Sequence, residues 1–147
     1  MKYVHTNIVA RDWQRLSKFY IDVFECREKP PARNLSGDWL DRGTGLSGAS
    51  LKGIHLILPG YGDDGPTLEI FSYRDMKDRP GTAANSIGFS HIAFLVEDAE
   101  AVYEKALACG ASALGEITVK DIENVGTLTF VYLKDPEGNI IEIQNWQ

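Results

Sequence analysis

Two histidines and two glutamates stand out because they recur in the same order and surroundings: His5 and Glu69, then His91 and Glu142. The segment VHTNIVARDWQRLSKFY (residues 4–20) lies over SHIAFLVEDAEAVYEKA (90–106), placing His5 on His91, Ile8 on Phe94, Val9 on Leu95 and Asp12 on Asp98. LEIFSY (68–73) lies over IEIQNW (141–146), placing Glu69 on Glu142. Two neutral imidazoles and two carboxylates on one surface could hold a divalent ion such as Ni²⁺, Zn²⁺, Co²⁺ or Mn²⁺, with positions left open for water or substrate. A metal would also account for the carboxylates, because an ionised Glu between apolar strand neighbours is costly to bury unless something positive pairs with it. A lone strand His usually serves packing and hydrogen bonding; recurrence at the same place in both repeats is what points to ligation. His55, inside IHLIL, has no counterpart among the matched positions and reads as structural.

The elements that must carry these residues follow from the pattern around them. In the first repeat, strands are expected near 2–10, 37–41, 52–58 and 67–73, with a helix over 13–25. In the second, strands are expected near 88–96, 115–120, 127–134 and 139–146, with a helix from Ala99 to Cys109 stopped at Gly110. Asp12 and Asp98 are the expected N-caps, since a short carboxylate accepts the free N–H groups of a first helical turn. PGYGDDGP (59–66) and DPEGN (135–139) supply hairpin turn chemistry. His5 precedes Glu69 by 64 positions and His91 precedes Glu142 by 51; loops around Pro30-Pro31 and over Gly43–Gly53 are expected to absorb the difference. The polar, aperiodic stretch 74–86 reads as a linker.

Side chains alternate along a strand, so the four chemical groups can be placed on faces by counting in twos. His5 shares its face with Tyr3, Asn7 and Val9; Glu69 with Thr67, Phe71 and Tyr73; His91 with Phe89, Ala93 and Leu95; Glu142 with Ile140, Gln144 and Trp146. The opposite faces are aliphatic or nearly so and suit packing on the amphipathic helices. Asn7, Phe71, Tyr73, Gln144 and Trp146 are therefore the expected lining of a substrate pocket.

Composition sets outer bounds. The 147 residues suffice for one domain built of two modules, 1–76 and 86–147, in an α+β architecture. A net charge of -6 disfavours nucleic acid and anionic membranes as partners. No apolar stretch approaches the roughly 20 residues that span a bilayer. The start, MKYVHTNIVARDW, has no secretory h-region, so a cytoplasmic location is expected. Cys26 and Cys109 show no CxxC spacing and read as buried reduced thiols.

The chain resembles the vicinal oxygen chelate superfamily, which includes glyoxalase I, methylmalonyl-CoA epimerase, fosfomycin-resistance enzymes, extradiol dioxygenases and bleomycin-resistance proteins. The resemblance is carried by HTNIVARDWQRLSKFY, LEIFSY, GFSHIAFLVEDAEAVYEKA and VYLKDPEGNIIEIQNW, the last with a D-P-[DE]-G turn between two strands. It implies paired βαβββ modules forming an open, U-shaped barrel around a divalent metal (Ni, Zn, Co, Mn or Fe) and, frequently, a homodimer. The implied ligands are His5, Glu69, His91 and Glu142, the set of glyoxalase I. The epimerase has Gln at the place of Glu69, and the dioxygenases and fosfomycin enzymes use a His-His-Glu triad. Glyoxalase chemistry implies a metal-dependent lyase or isomerase that moves a proton through an enediolate, with Glu142 as base and Glu69 acting on the opposite face. Two glutathione contacts of glyoxalase I are missing, since Val9 stands where it has Arg and Tyr73 where it has Asn; the implied substrate is a small oxygenated molecule not linked to glutathione. An epimerase, an Fe-dependent ring-cleavage dioxygenase and a metal-free drug-sequestering protein with an aromatic cleft (Trp39, Phe71, Tyr73, Trp146) are the alternatives. Arg11, Arg33, Arg42 and Arg74 read as loop cations, better explained by solvation than by substrate binding.

Overall fold

The computed structural model describes residues 1–81 and 83–147; of the stretch read as a linker, position 82 lies outside the described residues. The chain divides into two compact units, Met1–Arg79 and Pro80–Gln147.

In the first unit, β1 (His5–Val9) leads into α1 (Trp13–Phe24), followed by β2 (Arg27–Ser36), α2 (Asp38–Thr44), β3 (Ser50–Ile57) and β4 (Thr67–Tyr73). The sheet order is β1-β4-β3-β2, with β1 parallel to β4 and the other pairs antiparallel. Helix α1 starts where Asp12 Oδ1 accepts from the backbone N–H groups of Gln14 (3.1 Å) and Arg15 (3.0 Å), the N-cap the sequence requires. It ends at Glu25 in the left-handed region, φ 58°. Leu16, Phe19, Tyr20 and Val23 recur at helical spacing, are buried, and form the face that meets β3 and β4, where Ile54, Leu56, Leu68 and Ile70 are buried in turn.

Two expectations fail here for one reason. The stretch 37–41 is not a strand but the start of α2, and Pro30-Pro31 is not a loop but part of β2. β2 is the outermost strand of its sheet, so the missing N–H groups of the prolines break no interior ladder; the register shifts between Lys29 and Arg33 to accommodate them. With β2 running through to Ser36, the residues after it turn. Asp41 accepts from the backbone N–H groups of Gly48 and Ala49, both at 2.7 Å. Leu40 enters a buried cluster with Ala49, Leu51 and Phe71. The Gly43–Gly53 stretch is likewise only partly loop, because Gly53 sits in β3 opposite Phe71. A Cβ at Gly53 would lie 2.1 Å from the Ile70 carbonyl oxygen and 2.3 Å from Phe71 Cδ1. Gly53→Ala is therefore expected to cost about 1–3 kcal/mol, read as a lower urea midpoint at unchanged slope.

In the second unit, β5 (His91–Leu95) and α3 (Ala99–Ala108) are followed by β6 (Ser112–Ala113), β7 (Thr118–Ile122), β8 (Gly126–Lys134) and β9 (Ile140–Trp146). The order is β5-β9-β8-β6, with β7 also pairing β8 and β5 parallel to β9. Asp98 Oδ1 caps α3 through the Ala101 N–H at 2.9 Å, and Gly110 follows its end with φ 98°. Val131, Leu133, Ile141 and Ile143 are buried on the strands that α3 packs against. The single strand expected near 115–120 is replaced by the short β6 and by β7, both exposed.

The thiols differ from expectation in one case. Cys26 is buried and its pKa is pushed up to about 12 by desolvation, but Cys109, just past the end of α3, is exposed. A thiol reagent is expected to titrate one cysteine in the native chain and the second only after unfolding.

Candidate functional site

The first unit gathers its chemistry along one row across the sheet. Asn7 on β1 lies opposite Glu69 on β4, Glu69 opposite His55 on β3, and His55 opposite Lys29 on β2. Directly opposed residues point to the same face, so register alone aligns these groups. Glu69, although buried, has no Lys or Arg partner among the described residues. Its carboxylate is held by three nitrogens: His5 Nε2 at 3.3 Å and Asn7 Nδ2 at 3.2 Å on Oε2, and His55 Nε2 at 2.8 Å on Oε1. His55 is fixed from behind by Thr67 Oγ1, 3.0 Å from its Nδ1. The threonine hydroxyl can donate or accept, so it supports either neutral tautomer of that ring.

The second unit repeats the plan with different partners. His91 Nε2 lies 3.0 Å from Glu142 Oε2. Across from Glu142, in the place His55 takes opposite Glu69, stands Tyr132. Its ring is tilted against His91 with centroids 4.9 Å apart, and its hydroxyl is hydrogen-bonded to Glu142. Desolvation first, and the Glu142 charge and hydrogen bond after it, raise the Tyr132 pKa, so the phenol stays a donor throughout the neutral range. The partner of Glu142 on β5 is Ala93, where Glu69 has Asn7. The first carboxylate is thus clamped by two imidazoles and an amide, the second by one imidazole and a phenol.

The structure brings His5 to Glu69 and His91 to Glu142, each pair within its own unit. Asn7 belongs to the Glu69 clamp. Phe71 is packed in the cluster around Leu40 with Tyr73 against it, and also meets His55 edge-on at 5.9 Å between ring centres. Trp146 donates through Nε1 to Gln144 Oε1 at 3.1 Å. Of the arginines, Arg11 and Arg74 pair with Asp78 and Asp75, Arg42 lies in α2, and Arg33 is a strand residue of β2 rather than a loop cation.

Two carboxylate partners were not foreseen: His55, read from the sequence as structural, meets Glu69, and Tyr132 meets Glu142. A signal existed: a hairpin pairs residues equidistant from its centre. Gly62 lies seven positions from both His55 and Glu69, and Glu137 lies five from both Tyr132 and Glu142. Burial lowers the His55 pKa most; Glu69 opposes that shift, and Arg33, His5 and Lys29 add to it. The folded chain thus takes up a proton on His55 less readily than the unfolded chain. Its share of stability is whole above the ordinary value of 6.5 and is lost as pH falls from there through the folded pKa. Ring proton shifts followed against pH are expected to place the His55 midpoint below 6.5.

The atoms that face each carboxylate are imidazole Nε2 atoms, which ligate divalent ions when unprotonated, so the donor chemistry suits a metal. Among the described residues, no three or more His, Cys, Asp or Glu side chains are grouped so as to hold one ion as they stand.

A strand, a helix and a closing run of strands, used twice, each time with a His on the first strand facing a Glu on the last, defines a class of repeated-unit α+β proteins. A family model of the Glyoxalase/Bleomycin resistance protein/Dioxygenase superfamily matches residues 2–143, and the chain belongs to that superfamily. Solved structures agree on the fold. A glyoxalase family protein from Bacillus cereus superposes with a TM-score of 0.79 at 20% identity, covering 99% of this chain and 93% of that one. A glyoxalase/bleomycin resistance protein/dioxygenase family enzyme from Burkholderia phytofirmans PsJN gives 0.60 at 17%, with 100% of both chains covered. TioX from Micromonospora sp. ML1 gives 0.55 at 14%, again over 100% of both. No curated protein matches. No helix among the described residues is long and apolar enough to cross a membrane.

Proposed function

We propose that the protein is a metal-dependent lyase or isomerase of the glyoxalase type, moving a proton between adjacent carbons of a small oxygenated substrate not linked to glutathione. The observation that carries this reading is the repeated imidazole–carboxylate pair, His5 with Glu69 and His91 with Glu142, at equivalent strand positions of the two modules. His5, Glu69, His91 and Glu142 are the residues that would hold the divalent ion. When bound, it supplies Lewis-acid stabilisation of negative charge developing on substrate oxygen.

The remaining work falls to the chain. Glu142 is the base that takes and returns the proton: its clamp is the lighter of the two, held by His91 and Tyr132 rather than at three points. Glu69, held at three points, is the positioned carboxylate, able to receive a proton on the opposite face. The tyrosine hydroxyl keeps Glu142 in one orientation until substrate displaces it. The same reading takes the protein to be a cytoplasmic homodimer.

The test is incorporation of solvent deuterium into 2-oxo acids, 2-hydroxy acids, thioesters and hemithioacetals, with Ni²⁺, Zn²⁺, Co²⁺, Mn²⁺ or Fe²⁺ added in turn. Metal-dependent exchange at a carbon beside a carbonyl is the expected result. No exchange with any pair, or a metal content unchanged in a Glu69→Gln, Glu142→Gln double variant, overturns the proposal.

A further inference from the structure

Beside the Glu69 clamp, wholly within the first unit, lies a cleft of about 280 Å³. His55 and Thr67 form part of its wall, and three cations line it: Lys2, Lys29 and Arg33, with Asp64 as the one carboxylate among the lining residues. In a chain of net charge -6 this is a local excess of positive charge. None of the three cations is spent on an ion pair among the described residues. Lys29 Nζ donates to the Asp63 carbonyl at 2.5 Å, Lys2 donates to the Asp64 carbonyl, and Arg33 donates to the Pro31 carbonyl. Backbone carbonyls fix where these head groups sit without neutralising them, and each retains N–H donors for another acceptor.

The fold puts them there for a reason already described. Lys29 is the residue directly opposite His55, and the shift of register at Pro30-Pro31 returns Arg33 to the ladder opposite Gly53, two positions from His55 on the same strand. Both cations are half-buried, unlike solvated surface residues. Cations converging on a small concave space, one wall of which is the imidazole that clamps the candidate site's carboxylate, suit an anion that enters with the reacting molecule. Nucleic acid is disfavoured by the overall charge and by the size of the space.

We infer that this cleft binds the anionic end of the substrate, a carboxylate or phosphate group, and that Lys29 and Arg33 are its specificity-determining residues. The inference rests on reading His5, His55 and Glu69 as the reacting end in this unit. It narrows the substrate class to small oxygenated acids or phosphate esters, and it places the glutathione-independent anion contact on β2 rather than at Val9 or Tyr73.

The experiment uses the full chain without added metal and inorganic phosphate as the probe, with the ring resonances of His55 and His91 followed separately. Saturable binding that moves His55 and weakens with ionic strength is expected. A Lys29→Gln, Arg33→Gln double variant should bind roughly tenfold or more weakly, because two charge-assisted donors are lost. Lys18→Gln, whose lysine pairs with Asp22 on α1, should bind as the parent does. Lack of saturation, equal affinity in the double variant, or a response at His91 with none at His55 overturns the inference. Should the double variant fail to fold, Lys29→Arg with Arg33→Lys keeps the charge, and undiminished phosphate binding in that swap is the expected result; its loss counts against the inference. Because the titration needs neither metal nor turnover, the two readings fail separately. Phosphate binding without deuterium exchange leaves the anion cleft standing and removes the catalytic assignment; exchange without phosphate binding does the reverse.

Discussion

At saturating metal, Glu142→Gln is expected to lower kcat for solvent-deuterium exchange by about 10²–10⁴, with KM and the melting profile little changed and metal affinity reduced by the loss of one ligand. The substitution keeps the shape of the side chain and an oxygen that can still accept from His91 Nε2 or the Tyr132 hydroxyl, but removes the basic lone pair that takes the proton. Glu69→Gln should behave differently. There the amide must replace a carboxylate that accepts three nitrogen donors, and its own NH₂ would face His5, Asn7 or His55. The expected result is a loss of metal affinity and folded stability alongside activity. Parallel isotherms for metal and phosphate, with exchange rates, distinguish the two. If Glu69→Gln abolishes exchange at full metal loading while Glu142→Gln leaves it intact, the base is Glu69 and the assignment made above is wrong.

Asp135→Ala should be among the most damaging single changes outside the two clamps, at about 2–4 kcal/mol. Asp135 is buried at the end of β8, at the start of the turn into β9. One carboxylate oxygen accepts from the Glu137 and Asn139 backbone N–H groups, both at 2.9 Å; the other accepts from Asn139 Nδ2 at 2.7 Å. Removing the buried carboxylate leaves these half-buried donors without it, and a donor left partly unmet costs more than the hydrogen bond it loses. Asp135→Asn, which keeps one acceptor oxygen, should cost less. Urea unfolding at a constant slope checks both. The turn also sets the register that puts Tyr132 opposite Glu142, so the alanine variant should raise the accessibility of the Tyr132 hydroxyl before global unfolding, visible as a lower midpoint for its spectrophotometric titration.

The repeat made much of this legible. Both N-capping aspartates, both helices and the strands carrying His5, Glu69, His91 and Glu142 follow from local pattern: apolar residues at helical spacing behind a short carboxylate, and alternation bounded by Gly, Pro and Asp. These are properties of contiguous residues. The errors lie where a local pattern was outvoted from a distance. Pro30-Pro31 looks like a break, yet an edge strand tolerates it because no neighbour needs the missing N–H groups. The residues at 37–41 look extended, yet Asp41 and the burial of Leu40 draw them into a helix. Cys109 looks like core by composition and is exposed because its helix ends there.

By itself the sequence determined the family, the two-module plan and the four residues most worth mutating, since duplication writes the same chemistry twice and each copy is a short-range signal. Which groups surround each carboxylate was decided only by tertiary structure. Register across strands set Lys29 and Asn7 in line with Glu69, and no short window along the chain contains those neighbours together, whereas His55 and Tyr132 each share a hairpin with the glutamate they face. Hydrogen bonding between strands joins residues by their distance from a turn rather than from each other, so the partners of either carboxylate outside its own hairpin become visible only once the pairing is known.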